Sequence, residues 1–195
     1  MNEKGRSMVE MLGVLAIIGV LSAGGLAGYS KAMFQHRVNE TINVVSLVLQ
    51  RLVDLTQKDL GDDFKIETAE DIVKYGLLDK CQEATLWGHG ACKLPMGVLR
   101  IEKDESTGIF IGLSSVKECI AFLSVHWENV LPIEWWVNSG GAEISVEGPG
   151  THQLYYSTLD GAIHNNMTME KITEACQEEC AVDDDCSISL FFNKL

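Results

Sequence analysis

The chain reads as an α+β fold: a long N-terminal spine helix packed on a mainly antiparallel β-sheet, with short helices inserted between strands. Three observations predict this. No residue from Met11 to Tyr29 carries a charge. Apolar residues then recur at helical spacing as far as Leu52, with neither proline nor glycine after Tyr29. Beyond that point, short β-rich runs alternate with turn residues and with three stretches that open on a capping Thr or Ser.

At a rise of 1.5 Å per residue, the uncharged run spans roughly 28 Å as a helix, about one bilayer core. Lys4 and Arg6 precede it, which predicts that this end stays cytoplasmic. Glu10 stands at its edge, where a carboxylate is costly and signals a partner. Phe34, Val38, Ile42, Val45, Leu49 and Leu52 follow at spacings of four and three, so they share one helix face. Lys31, Gln35, Asn39, Gln50 and Asp54 fall elsewhere. One helix over residues 6–56 is expected, about 8–29 for membrane or assembly and 30–56 amphipathic, with Gly61-Asp62-Asp63 as its stop. Gly19, Gly24, Gly25 and Gly28 each weaken the helix by ~1 kcal/mol relative to Ala. They fit either a softened or closely packed zone or the ordinary abundance of glycine in membrane helices.

Residues 57–195 form the expected head. Thr68-Ala69-Glu70-Asp71 opens a helix carrying Ile72, Val73, Leu77 and Leu78. Cys81 to Cys92 brackets Trp87-Gly88-His89-Gly90, a turn-rich loop. Strands from Val98 to Lys103 and from Gly108 to Leu113 flank Asp104-Glu105-Ser106-Thr107 as a hairpin. Ser114 or Ser115 caps a helix to about Trp127, with Val116, Cys119, Ile120 and Leu123 inward. Strands are expected at Ile133 to Val137, Ala142 to Val146, Gln153 to Tyr156 and Cys186 to Phe192, the last with Ile188, Leu190 and Phe192 on one face. Thr168 starts a helix to about Cys176 or Cys180.

Lys plus Arg number 15 against 28 Asp plus Glu, a net charge of −13 carried by the head. Nucleic acid is therefore not an expected partner. All six cysteines lie from Cys81 onward, which points to an oxidising compartment. Six cysteines allow 15 pairings, and sequence alone does not select one. The favoured set joins Cys119 with Cys176 across two predicted helices, leaving Cys180 with Cys186 and Cys81 with Cys92 to close short loops. Zinc is the rival use, with Cys81, His89 and Cys92 in one group and Cys176, Cys180 and Cys186 in another. Neither has Cys-x-x-Cys spacing, and an oxidising compartment disfavours thiolates, so no cofactor is expected. Asp183-Asp184-Asp185 offers oxygen ligands for calcium, but consecutive acids suit a solvated loop better. There is no nucleophile elbow, no phosphate-cradling glycine loop and no metal-binding His spacing, so no catalytic residue is expected. Trp87, Trp127, Trp135 and Trp136 are read as core aromatics rather than an adhesive face.

Gly5, the acid five residues later and the uninterrupted apolar run together resemble the N-terminus of type IV pilins and related pseudopilins, a match over residues 5–30. A cleaved secretory signal peptide exiting at Ser22-Ala23-Gly24-Gly25 fits less well, since such peptides have shorter apolar regions and no acid near their start. The resemblance implies a leader of residues 1–5, cleaved by prepilin peptidase between Gly5 and Arg6. It implies an assembly role for Glu10, which would face the freed N-terminal amine of a neighbouring subunit. The family ordinarily opens its mature chain with Phe, Met or Leu, and often N-methylates it; Arg6 departs from that and offers a second cation. A bridge stapling the C-terminal region, as Cys119 with Cys176 would, also fits the family. The implied role is a major or minor pilin, forming homo-polymers or co-polymers with other pilins and engaging an inner-membrane assembly platform. It would be a single-pass inner-membrane protein before assembly and part of a cell-surface pilus afterwards. A type II secretion pseudopilin is the nearest alternative, some of which hold calcium near the C-terminus. A non-polymerising membrane-anchored extracytoplasmic binding protein is the other.

Overall fold

The computed structural model describes residues 8–56, 65–103, 106–125, 142–147, 151–157, 163–165, 167–180 and 186–193. Helix α1 runs without interruption from Met8 to Thr56. From Phe34 onward one stripe of it enters the core: Phe34, Val38, Ile42, Val45, Leu49 and Leu52 are all buried, joined by Thr41 and Val48. The periodicity of four and three produces this, because those side chains stack on one side of the cylinder. Each large apolar side chain so buried stabilises by roughly 1.5–3 kcal/mol, an upper figure since the unfolded chain is not fully extended.

Among the described residues, eight strands form one sheet: β1 (Glu83–Leu86), β2 (His89–Leu94), β3 (Gly97–Lys103), β4 (Ser106–Leu113), β5 (Ala142–Glu147), β6 (Thr151–Ser157), β7 (Ile163–Asn165) and β8 (Cys186–Asn193). Their spatial order is β1-β2-β3-β4-β8-β5-β6-β7, and every pairing is antiparallel. The register lines up two apolar rows on the face toward α1. One is Leu99, Ile111, Ile188 and Val146; the other is Ile101, Ile109, Leu190 and Ile144. Both rows belong to the same core as the helix stripe. Side-chain alternation sends Arg100, Phe110, Ser189 and Ser145 to the opposite face.

Among the described residues, three short helices close the core. Thr68 caps α2 (Ala69–Lys74) in a reciprocal box with Asp71. Ser115 caps α3 (Val116–Leu123), and Thr168 caps α4 (Met169–Glu179). Each cap is a hydroxyl three residues before the backbone N–H it accepts from, a spacing visible in the sequence.

Several expectations need correction. The stretch from Cys81 to Cys92 is not a loop but the β1–β2 hairpin, turned by Trp87 and Gly88 with φ of 53° and 78°. Positive φ at both central residues matches the right-handed twist of the flanking strands. The β3–β4 hairpin is tighter than expected, since Ser106 and Thr107 belong to β4. Helix α3 stops at Leu123 rather than Trp127, where Ser124 turns both its N–H and its hydroxyl back to the Ile120 carbonyl. Within α3 the fully buried aromatic is Phe122, while Val116 and Ile120 are only half-buried. Val73 faces solvent, and Leu77 and Leu78 reach the core from the turn after α2. Strand β7 was not expected, and β6 is longer than expected at both ends. The expected strand from Ile133 to Val137, the helix stop at Gly61-Asp62-Asp63, and Trp127, Trp135 and Trp136 lie outside the described residues.

Candidate functional site

Helix α1 divides sharply at Phe34. On its C-terminal side the head grips it at two points. Lys117 of α3 places its ammonium 3.8 Å from the centre of the Phe34 ring. Near the other end, Arg51 Nη1 donates to the carbonyls of Gly76 (3.0 Å) and Leu77 (3.3 Å) and to Asp79 Oδ1 (3.0 Å).

On the N-terminal side every described side chain from Glu10 to Met33 is exposed. Val20 is 74% exposed, Leu26 71% and Leu21 69%, within a contiguous apolar surface of the kind that marks a membrane or protein contact. The segment is long and apolar enough to cross a membrane. A Cβ added at Gly13, Gly19, Gly24, Gly25 or Gly28 would meet nothing within 4 Å, so contacts within this chain do not require those glycines. Glu10 lies in the first turn of α1, where a carboxylate suits the positive end of the helix dipole. Among the described residues no ion pair engages it. Gly5 and Arg6 lie outside the described residues, as do Asp183, Asp184 and Asp185.

The second constellation is the disulfide frame. Cys81 joins Cys92, Cys119 joins Cys176, and Cys180 joins Cys186, which leaves no free cysteine. The first bridge ties the entry of β1 to β2; the second ties α3 to α4; the third ties the end of α4 to the first residue of β8. The Sγ atoms of Cys119, Cys180 and Cys186 lie within 4.8 Å of one another, buried together. That spacing would suit a thiolate metal site, but a bridged sulfur has no thiolate to offer. His89 is exposed at the start of β2, on the face opposite Cys92, which is bonded to Cys81, so the expected Cys81, His89 and Cys92 group does not come together.

A cleft of about 430 Å³ opens between α1, the β2–β3 turn and the start of α3, lined by Arg37, Glu83, Lys93, Met96 and Glu118 among others. Its most enclosed carboxylate, Glu118, is already occupied, accepting from the Ser114 N–H at 3.1 Å and the Ser114 hydroxyl at 2.8 Å. Across the sheet, on the face away from α1, Trp87 meets the Phe110 ring edge-on at 5.5 Å, and the Arg100 guanidinium lies 5.3 Å from the same ring. Trp87 is thus not the core aromatic expected of it: it stands exposed at the turn of the β1–β2 hairpin, and that turn is what brings it onto Phe110. The sharpest asymmetry in the molecule is therefore the bare apolar half of α1 against a head locked by three bridges. No family model matches the chain, and no curated protein matches it.

Proposed function

We propose that this chain is a structural subunit, a major or minor pilin, which polymerises through the exposed half of α1 into a type IV pilus after cleavage between Gly5 and Arg6. One observation carries the reading: a single continuous helix whose N-terminal half is apolar and wholly exposed, while its C-terminal half is built into a bridged head. A plain membrane anchor needs no rigid continuation into its domain. A filament subunit does, because the packing of its helices fixes the spacing of its heads. The α+β order of helix first and antiparallel sheet after it is compatible with a pilin-like head. In this reading Glu10 accepts a cation inside a low-dielectric helix bundle, either the amine freed at Arg6 of a neighbouring copy or the Arg6 side chain. The subunit is not an enzyme, and its working partners are its own copies or other pilins, the peptidase that trims it and an inner-membrane assembly platform.

The test is Glu10→Ala in a cell that processes and assembles the protein. Processing should be unchanged, read as the mass of the mature N-terminus, while filaments fall below detection because an unpaired neighbour costs several kcal/mol per contact. Normal filaments from that variant would sink the proposal. A mature chain that keeps residues 1–5 would instead indicate a non-polymerising anchored protein. Processed subunits that support secretion without a surface filament would indicate a secretion pseudopilin.

A further inference from the structure

Two of the three bridges lie against each other. Cys119 is bonded to Cys176 and Cys180 to Cys186, and the sulfurs of Cys119, Cys180 and Cys186 fall within 4.8 Å of one another. Cys176 and Cys180 are also four residues apart at the end of α4, so they share a helix face. The four cysteines thus form one connected group, to which Cys81 and Cys92 do not belong. Their burial is uneven: Cys119 and Cys176 are 0% exposed, Cys186 1% and Cys180 8%.

We propose that this group is a thiol–disulfide exchange site, with a small thiol as co-reactant, and that exchange moves the tether of β8 between α4 and α3. An external thiolate attacks the sulfur of Cys180, the least enclosed of the four. The Cys180–Cys186 bond breaks and its electron pair leaves on Cys186, while Cys180 carries the mixed disulfide. The Cys186 thiolate then attacks Cys119 beside it, breaking the Cys119–Cys176 bond and releasing Cys176 as a thiolate. Cys176 attacks Cys180 one helical turn away and expels the external thiol. No electrons are gained or lost. The pairs Cys119–Cys176 and Cys180–Cys186 become Cys119–Cys186 and Cys176–Cys180, and each step runs equally in reverse. A head that closes with the alternative pairs therefore has a short route to the pairs seen here. The proposal does not depend on the filament reading.

The experiment uses the full oxidised chain in detergent micelles at mildly alkaline pH with limiting reduced glutathione. Samples are quenched in acid, alkylated and mapped by proteolysis and mass spectrometry. Cross-pairs within the group of four, Cys119–Cys186 above all, should exceed cross-pairs containing Cys81 or Cys92 by at least about tenfold, because only the former are positioned for attack. A second arm compares single-thiol variants. In Cys176→Ser the free thiol should be found on Cys180 or Cys186 as well as on Cys119, whereas in Cys81→Ser it should remain on Cys92. Native pairs alone in the glutathione arm would overturn the proposal. So would cross-pairs that include Cys81 and Cys92 equally, since that pattern belongs to exchange in an unfolded chain. If Cys176→Ser does not fold, the wild-type arm decides.

Discussion

Asp71 shows how one side chain can set the acid limit of an element. Burial works to raise its pKa, but hydrogen bonds from the Thr68 hydroxyl and the Glu67 and Thr68 N–H groups, with Lys74 nearby, outweigh it. Its carboxyl is therefore held below the ordinary value of 3.8. The folded state then binds fewer protons than the unfolded one as pH falls, so the stabilisation is complete above that value and is lost through the lower folded one. Asp71→Asn should cost about 1 kcal/mol at neutral pH, the usual scale for a lost cap contact, and should remove this acid dependence. Amide exchange across Ile72 to Leu78 measures both, and an unchanged acid profile in the variant would refute the assignment. Trp87 carries a different tension. A bulky residue at φ 53° costs on the order of 1–2 kcal/mol, while its edge-on contact with Phe110 returns about 0.5–1.5 kcal/mol. Trp87→Asn loses the ring but tolerates the backbone, so its stability should stay within about 1 kcal/mol of the parent. Trp87→Val loses the ring and keeps the strain, and should lie about 1–2 kcal/mol below the Asn variant in denaturant unfolding.

Among the elements, α1 serves two environments, and substitutions should separate them. Leu49→Ala on the buried stripe (3% exposed) should destabilise the head by about 2–5 kcal/mol. Leu21→Ala on the bare half (69% exposed) should change head unfolding by less than about 0.5 kcal/mol and should act on assembly or membrane insertion instead. Equal effects on head unfolding would contradict the division at Phe34. That division was legible because the stripe from Phe34 to Leu52 repeats over several turns, which no strand pattern imitates. The caps Thr68 and Thr168 were legible for the same reason, each a fixed offset from the amide it serves, while the cap of α3 was legible only as Ser114 or Ser115, which both carry the hydroxyl. Strands β1 and β7 were not, being too short for alternation to register, and a Trp-Gly turn lacks the Asn-Gly or Asp-Gly signature. The contact between the Cys119–Cys176 and Cys180–Cys186 bridges also lay beyond the sequence, since spacing along a chain does not report which helix ends converge. The bare half of α1 was readable as apolar.

For the whole molecule, the least predictable feature is the strand order. Neighbours in sequence pair throughout β1 to β4 and again through β5 to β7, but β4 does not pair with β5; β8 lies between them. Ser189 sits in the middle of that strand, opposite Phe110 on one side and Ser145 on the other. Ser189→Pro removes a ladder donor from a strand paired on both edges and should cost at least about 3 kcal/mol. Loss of the protease-resistant head is the expected readout, and a variant as resistant as the parent would contradict the central position of β8. The order also has a temporal consequence. Residues up to Leu113 can close one half-sheet of hairpins, and residues 142–165 a second, each from near neighbours and therefore quickly. The seam between them stays open until Cys186–Asn193 arrive. In a chain made N-terminal end first, the last strand acts as a completion signal, and a chain cut short before it keeps two unjoined edges exposed to proteases and to neighbouring strands.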